Sequence, residues 1–501
     1  MVNIDWHLRA KDARFLVRNF INGRYRNNSG DHSINKISPR DGSLLYEFQA
    51  SGPEDIEYAI NSARQAYHDK CWRALPLQKR ASVLLKLADL VEDHRETLSL
   101  YESLDSGKPI MQAWEEVFQA SEILRDAVHS ASNVFSPHMA DGSYCAYQIR
   151  KPLGVVGAII SWNYPLVIAA MKIGPALMMG NSLVLKPSEL TPLSALYLGE
   201  LAVEAGVPPG VFNVVNGPGS TAGKALAYHT DVDLLSFTGS SFTGKKIQIA
   251  AGQSNMKRLL LECGGKAPYL VFDDCPNNLD AMATDIVAMA FNNHGANCLA
   301  NTRLLIQAGI KDTLLPKIVE QASRLIPQDP LDPKTIFGAL INETHMNKVL
   351  AYIHGGGSEG ARLILGGNRT HVDIGPAGNE GFYIEPTIFD KVNPQQKIAS
   401  EEIFGPVLSV LTFDDEHQAI KLANQSRYGL AAYVATENLG RVTRLIQEIN
   451  AGLFMISGTS MPSEQYIEIG KEGRRDSGFG PEGGMLGLSS YSVSTAVHQW
   501  T

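Results

Sequence analysis

The sequence predicts an α/β protein of at least two compact units, the first of them built around a parallel sheet. The chain has 501 residues, well above the roughly 100–200 residues of a single domain. Its composition, 44% hydrophobic and 19% charged, is that of a folded globular protein. Short apolar runs alternate with helix-like stretches, and strands buried on both faces are typical of parallel sheets.

The first unit contains repeated strand-helix-strand segments. Residues 154–160 and 182–185 are short apolar runs, and residues 166–179 between them are helix-like. A further strand is predicted at VFNVV, and LLSFT leads into a loop that opens a helix over residues 242–250. This alternation predicts a nucleotide-binding layer.

The second unit is predicted to begin after residue 265. YLVFDD indicates a strand, residues 278–292 indicate a helix, and the unit continues through EEIFGPVLSVLTF to about residue 456. Residues 458–484 are rich in Gly, Ser and Glu and indicate a long loop, and the final YSVSTAVHQW indicates an edge strand.

Charge and cysteine content narrow the function classes. A net charge of −8 without a sustained Lys/Arg block argues against nucleic acid or anionic membranes, so we expect a small-molecule partner. The five scattered cysteines fit neither a disulfide framework nor a zinc site, and no metal is predicted. The charged N-terminal stretch and the interruption of the longest apolar region at residues 162–165 predict a cytoplasmic protein without a membrane span.

Cys298 is a candidate nucleophile because it follows a turn of small residues in FNNHGANC. Most buried cysteines are inert packing, whereas a reactive thiolate needs backbone N–H groups and a partner that manages protons. Glu262 ends the apolar run LLLE, where poor solvation would raise its pKa and suit a general base; alternatively it is a strand-end acid facing solvent. Asn163 in SWNYP could donate an N–H to an oxyanion, or shape a turn.

Three loops are candidates for nucleotide binding. GPGSTAG at residues 217–223 falls short of G-x-G-x-x-G. FTGSSFTG at residues 237–244 opens a helix whose free N–H groups can meet a pyrophosphate, although a tight turn with an N-cap serine is equally compatible. Lys186 and Glu189 in KPSE could hold ribose hydroxyls, although a capped helix start is favoured for this segment alone.

The string HGGGSEG at residues 354–360 contains a G-x-S-x-G pattern, which raises hydrolase chemistry at Ser358. A nucleophile elbow needs a strand before the serine and a helix after it. Here MNKVLAYI is helix-like and ARLILGG is strand-like, so a plain helix-to-strand loop is predicted.

Taken together, these segments resemble the NAD(P)-dependent aldehyde dehydrogenase superfamily from FINGRY near residue 20 to SGFGPEGG and beyond. SNMKRLLLECGGKAP is similar to the branch containing betaine-aldehyde and γ-glutamyl-aminobutyraldehyde dehydrogenases. The resemblance implies a Rossmann-like NAD-binding domain at residues 1–135 and 153–264 and an α/β catalytic domain at 265–470. It also implies β oligomerisation strands at 136–152 and 485–501, which would build a homodimer or homotetramer.

The resemblance also implies the residue roles. Cys298 would attack an aldehyde, Asn163 and the Cys298 N–H would stabilise the oxyanion, and Glu262 would activate the water that hydrolyses the thioester to a carboxylic acid. Lys172 and Gly265 would be structural neighbours. The residues implied to bind NAD are Ser161, Trp162, Lys186, Ser188, Glu189, Gly219, Gly223, Phe237, Thr238, Gly239, Ser240, Gly264, Glu402 and Phe404.

Three departures from the family pattern concern the substrate pocket. The family usually has G-Q-x-C where this chain has GANC, a PFGG segment where it has IEIGKEGRRDSGFG, and asparagines where it has FMISGTSMP. Tyr164 keeps an aromatic residue that onium-binding relatives use, but Met171 replaces their tryptophan, so we expect apolar or longer aldehydes.

Glu189 bears on the choice between NAD and NADP, and two alternative functions remain open from the sequence. A ribose-binding Glu189 would repel the 2′-phosphate of NADP, so NAD is expected over NADP. The alternatives are a catalytically silent scaffold with this fold and a CoA-acylating relative, which typically lacks a carboxylate at the Glu262 position.

Overall fold

Two parallel sheets dominate the computed structural model, which describes residues 4–132, 134, 137–141, 143–275, 278–374, 380–457 and 469–500. The α-helices are α1 (Trp6–Asp12), α2 (Pro53–His68), α3 (Leu77–Asp93), α4 (Arg95–Ser106), α5 (Ile110–Ala131), α6 (Pro165–Met178), α7 (Leu193–Ala205), α8 (Lys224–Tyr228), α9 (Ser241–Gln253), α10 (Leu279–Phe291), α11 (Ala308–Ser323), α12 (Glu343–Ser358), α13 (Lys397–Ser400), α14 (Glu416–Asn424), α15 (Leu439–Glu448) and α16 (Gly484–Ser490).

The strands, also numbered in chain order, are β1 (Asn19–Ile21), β2 (Arg24–Arg26), β3 (Ser33–Ile37), β4 (Leu44–Gln49), β5 (His138–Asp141), β6 (Tyr144–Pro152), β7 (Val155–Ile159), β8 (Ser182–Lys186), β9 (Phe212–Val214), β10 (Leu234–Thr238), β11 (Arg258–Glu262), β12 (Pro268–Val271), β13 (Arg303–Gln307), β14 (Arg362–Leu365), β15 (Arg369–Thr370), β16 (Tyr383–Ile384), β17 (Thr387–Asp390), β18 (Val407–Phe413), β19 (Tyr428–Gly429), β20 (Ala431–Ala435), β21 (Leu453–Ser457), β22 (Arg474–Arg475), β23 (Gly478–Phe479) and β24 (Ser492–Trp500).

The first sheet has the strand order β2-β1-β9-β8-β7-β10-β11-β23. Its five central strands, β9 to β11 in that order, are parallel. Apolar cores cover both faces: α3, α5, α6 and α7 contribute to one core, and α2, α8 and α9 to the other. This sheet contains the segments for which the sequence predicts a nucleotide-binding layer, and the predicted α/β class is confirmed.

The second sheet has the order β14-β17-β18-β13-β12-β20-β21 and is parallel except for the β14–β17 pair. It too is covered on both faces. A third, antiparallel sheet has the order β24-β6-β5. The C-terminal stretch therefore forms an edge strand of this small sheet, as predicted.

Three segments differ from the sequence predictions. The strand predicted for YLVFDD ends at Val271. Within the described part of the predicted 458–484 loop, β22 pairs with β19 and β23 pairs with β11. These pairs join segments distant in the chain, which local composition does not reveal. The segment implied to begin an oligomerisation strand at residue 485 instead lies in α16, which packs on α5 and α6.

Among the described helices, none combines the length and the apolar character that a membrane crossing requires.

Candidate active site

The carboxyl ends of the first sheet's parallel strands meet at one edge. Ile159 at the end of β7 lies beside Lys186 at the end of β8, and Thr238 at the end of β10 lies beside Glu262 at the end of β11. A cavity of about 340 Å³ opens there and extends to Cys298, which lies in the chain between β12 and β13 of the second sheet. Parallel sheets bind ligands at this edge because loops and helix N-termini converge on it.

Nearly all the sequence-predicted site residues line this one cavity. They are Cys298, Glu262, Asn163, Ser161, Trp162, Lys186, Ser188, Glu189, Gly219, Phe237, Thr238, Gly239, Ser240, Gly264, Glu402 and Phe404. The exception is Gly223, which lies in a π-helical turn (Gly219–Gly223) where an added Cβ would face the Lys186 stem at 3.8 Å. Gly223 therefore lies next to the Lys186 stem and is not among the residues that line the cavity.

Cys298 follows a strained turn. Asn293, His294 and Gly295 take positive φ values of 49°, 57° and 72° in succession. A side chain at Gly295 would collide with the Gly405 carbonyl, and one at Gly265 would collide with the Cys298 carbonyl, with contacts of 2.2 and 2.3 Å. These close approaches fix the loop that carries the thiol.

Burial raises the pKa of the Cys298 thiol to about 12. The positive charge of Lys471 lowers this pKa, and the carboxylates of Glu262, Glu402 and Glu482 raise it. The thiol is therefore protonated at neutral pH, so its reaction requires a base or a pKa that falls when ligands bind.

The side chain of Asn163 is buried and held in one orientation. Ser161 Oγ donates to its Oδ1 at 2.7 Å, and its Nδ2 donates to the Ala296 carbonyl at 3.0 Å. One amide N–H is thereby used to fix the side chain to the Cys298 loop. The second amide N–H is available to a ligand oxygen in the cavity.

Glu262 and Glu402 place two carboxylates on the cavity wall. Glu262 is 5% exposed, which is the poorly solvated position predicted from the sequence. Glu402 Oε1 accepts the Gly265 N–H at 2.8 Å. A Cβ at Gly264 would lie 2.2 Å from the Glu402 carboxylate, so only glycine allows this approach. Burial raises the pKa of Glu402.

The N-terminus of α9 faces the cavity with Gly239 and Ser240. Ser240 is the N-cap and accepts the Thr243 N–H at 3.3 Å, while an added Cβ at Gly239 would meet the Phe237 ring at 2.6 Å. Thr238 Oγ1 is buried and makes no hydrogen bond within the part of the chain that the structure describes. Free helix N–H groups and a buried hydroxyl suit a phosphate ligand, so these residues fit a dinucleotide.

Lys186 and Glu189 form the far end of the cavity. Lys186 is buried, donates to the Pro187 carbonyl at 2.7 Å, and lies 3.4 Å from Glu189 Oε2. Burial lowers the pKa of Lys186. The Glu189 side chain is 34% exposed, so its carboxylate can receive hydroxyl groups from the cavity.

Sequence reasoning missed His345 and Lys348, which lie one turn apart on α12 and line the cavity. His345 contacts the Phe404 carbonyl at 2.7 Å, and burial lowers its pKa to about 4, so a neutral ring donates this bond. Phe404 has φ +61° and its ring stands edge-on to Trp162 at 5.2 Å. The spacing of His345 and Lys348, three residues apart on a helix, predicts that they share one helix face, but it indicates no particular chemistry. The other unpredicted lining residues are Ile159, Ile160, Thr243 and Cys263.

Other sequence candidates lie elsewhere. Ser358 is the last residue of α12, is followed by β14, and donates to the His354 carbonyl at 2.9 Å, so it has the predicted helix-to-strand setting. All five cysteines are free thiols. Among the described residues, no group of His, Cys, Asp and Glu side chains is arranged to hold a metal.

Comparison with known proteins gives a consistent result. The model of the aldehyde dehydrogenase family matches residues 25–497. The chain is 41% identical over 464 residues to aminoacetaldehyde dehydrogenase of Pseudomonas aeruginosa, covering 91% of this chain and 92% of that protein.

Solved structures give the same family. The indole-3-acetaldehyde dehydrogenase AldA of P. syringae, solved as a mutant with NAD+ and IAA, has a TM-score of 0.95 at 40% identity, with 99% of both chains covered. The γ-glutamyl-γ-aminobutyraldehyde dehydrogenase of Burkholderia cenocepacia J2315 has a TM-score of 0.94 at 40% identity, with 99% of both chains covered.

Proposed function

The chain belongs to the aldehyde dehydrogenase family and is an NAD(P)-dependent aldehyde dehydrogenase, and from this premise we propose the role of each catalytic residue. Cys298 is the nucleophile, Asn163 the oxyanion donor and Glu262 the general base. The observation that carries this assignment is that the three side chains line one cavity with the α9 N-terminus. No observation on the described residues favours a second function.

In the first step the Cys298 sulfur bonds to the aldehyde carbon. The thiol must first lose its proton to solvent, because burial raises the pKa of this thiol to about 12 and only the thiolate attacks. The aldehyde oxygen becomes an oxyanion and receives the second amide N–H of Asn163 and the Cys298 N–H. A donor of this kind typically stabilises the transition state by about 3–4 kcal/mol.

The tetrahedral carbon then loses its hydride, and a thioester remains on Cys298. Bound NAD supplies the hydride acceptor for this step. Glu402 and Phe404 are proposed to orient it, since both line the same cavity as Cys298 and the α9 N-terminus. Glu262 next takes a proton from water, the water oxygen bonds to the acyl carbon, and the C–S bond breaks to release the carboxylic acid.

We propose that the substrate is an apolar or longer aldehyde. A quaternary ammonium substrate needs several free aromatic faces. The ring of Tyr164 already has the buried Lys108 ammonium 4.9 Å from its centroid, and Tyr164 donates a hydrogen bond to Asn292. Met171, in α6, adds a flexible thioether in place of an aromatic ring.

We propose that the chain forms a homo-oligomer in the cytoplasm, with the third sheet at the contact between subunits. Its edge strands β24 and β5 are unpaired on their outer sides among the described strands. Trp500, Met139 and Ile149 are exposed on this sheet at 73%, 56% and 42%. Exposed apolar strands of this kind invite pairing with another chain.

The experiment that tests the proposal is NADH formation from a panel of aldehydes, with and without coenzyme A. We expect turnover to a carboxylic acid without coenzyme A, because Glu262 activates water. A requirement for coenzyme A would favour the acylating alternative, and no turnover with any aldehyde would favour the silent scaffold.

A further inference from the structure

A buried lysine contacts the backbone of Asn163. Lys108, between α4 and α5, has a fully buried side chain, and its Nζ donates to the Asn163 carbonyl at 2.9 Å. The same ammonium donates to Glu116 Oε2 and lies 3.5 Å from Glu102 Oε2. Lys108 therefore ties the backbone of Asn163 to the α4 and α5 helices.

The two carboxylates that hold Lys108 are themselves fixed. Glu116 Oε1 accepts Gln112 Nε2 at 2.8 Å, and Glu102 Oε1 accepts the Ser194 hydroxyl. The position of the ammonium is thus set by three helices, α4, α5 and α7. A buried charge destabilises the folded state unless it is paired and hydrogen-bonded. The two fixed carboxylates meet this requirement for the Lys108 ammonium.

Asn293 supplies a second arm from the Cys298 loop. Its Nδ2 donates to the Asn163 carbonyl at 2.8 Å and to the Ala296 carbonyl at 3.3 Å. Since Asn163 Nδ2 also donates to Ala296, the four groups close a ring between the proposed oxyanion donor and the turn before Cys298. Asn293 makes these contacts with φ +49°, a backbone conformation that most side chains disfavour.

A further contact holds the same turn in its left-handed conformation. His294 Nε2 accepts the Gly338 N–H at 2.8 Å, and burial, helped by the charge of Lys108, lowers the pKa of His294 to about 3. His294 is therefore neutral and can accept this hydrogen bond. The strain in the turn is offset by the hydrogen bonds of Asn293 to Asn163 and Ala296 and by the hydrogen bond from Gly338 to His294.

We infer that Lys108 and Asn293 are positioning residues that hold the Asn163 amide and the Cys298 loop at a fixed separation for formation of the thiohemiacetal. The inference rests on the proposed function, because it assigns both residues an effect through Asn163. Neither side chain lines the catalytic cavity, so neither is proposed to touch substrate. A misplacement of about 1 Å at such a site can slow the chemical step by about 100-fold.

The test is a double-mutant cycle on the rate of the first NADH burst. Asn293→Gly removes the amide and accepts the positive φ, and Lys108→Met combined with Glu116→Gln and Glu102→Gln removes the buried ammonium together with both carboxylates that hold it. Each is made in the unmodified enzyme and in Asn163→Ala. Asn22→Gly, another asparagine with positive φ, and Lys257→Met, another buried lysine bonded to a backbone carbonyl, are the matched controls.

We expect each positioning variant alone to slow the burst by about 10–100-fold with the NAD dissociation constant and the thermal midpoint near those of its control. In the Asn163→Ala enzyme the same changes should add no more than about twofold, the error of an additive cycle. The inference would be overturned if a positioning variant slowed the burst by the same factor in the Asn163→Ala enzyme as in the unmodified enzyme, or if neither positioning variant slowed the burst. Either result would leave the role of Asn163 intact. An unchanged burst in Asn163→Ala alone would instead overturn the proposed oxyanion role, and this inference with it.

Discussion

Glu189 should make the enzyme prefer NAD to NADP, and Glu189→Ser should narrow that preference mainly by improving NADP use. The Glu189 side chain lies at the far end of the cavity, 34% exposed and 3.4 Å from the Lys186 ammonium. A carboxylate that binds both ribose hydroxyls would meet the 2′-phosphate of NADP at close range. Two like charges about 4 Å apart repel by about 1–4 kcal/mol, depending on solvation.

The expected preference follows from that repulsion. Because about 1.4 kcal/mol corresponds to a factor of ten, kcat/KM should favour NAD by about one to three decades. The exposure of Glu189 and the nearby Lys186 place the effect toward the lower end, since water and a cation both weaken the repulsion.

The assay is kcat/KM for NAD and for NADP at a saturating aldehyde concentration, in the unmodified enzyme and in Glu189→Ser. Glu57→Ser, which removes a carboxylate 60% exposed outside the cavity, is the matched control. Equal efficiency with both cofactors in the unmodified enzyme would refute the reasoning, because Glu189 would then not face the ribose.

The remaining predictions concern the chemical steps and the substrate. Cys298→Ser should abolish aldehyde oxidation, measured as NADH formation, and should keep NAD binding. Serine at any other cysteine should keep activity. Substantial turnover by Cys298→Ser would contradict the nucleophile assignment. The other cysteines are Cys71, Cys145, Cys263 and Cys275. Glu262→Gln should show an NADH burst near one per active site and then a slow phase by rapid mixing, and loss of the burst would move Glu262 to an earlier step. Because the charge of Lys471 lowers the pKa of the thiol, Lys471→Met should raise that pKa and shift the pH profile of iodoacetamide inactivation to higher pH; an unchanged profile would remove Lys471 from the thiol's surroundings. Hexanal should exceed betaine aldehyde in kcat/KM, because Lys108 covers one face of Tyr164, and the reverse order would refute the proposed substrate class.

The parallel-sheet architecture was predictable because its strands are continuous apolar runs bounded by turns. The helix predicted at residues 242–250 is α9 (Ser241–Gln253), and the one predicted at 278–292 is α10 (Leu279–Phe291). Local sequence sets these elements, since helix N-caps such as Ser240 and Asn278 are short-range signals.

Features built from distant segments were not predictable in the same way. β22 and β23 exist because they pair with β19 and β11. His345 and Lys348 reach the cavity because α12 packs there, and no motif around them marks the contact. The left-handed turn at Asn293 and His294 depends on hydrogen bonds to Asn163 and Gly338, which no local pattern displays.

The most direct test of the central claim is the mass of the trapped intermediate. Glu262→Gln mixed with hexanal and NAD, quenched in acid and digested, should carry one hexanoyl group on the peptide that contains Cys298. The adduct should be absent when NAD is omitted, because the thioester forms only after hydride is lost. An acyl group on any other residue, or none at all while NADH is still formed, would contradict the account.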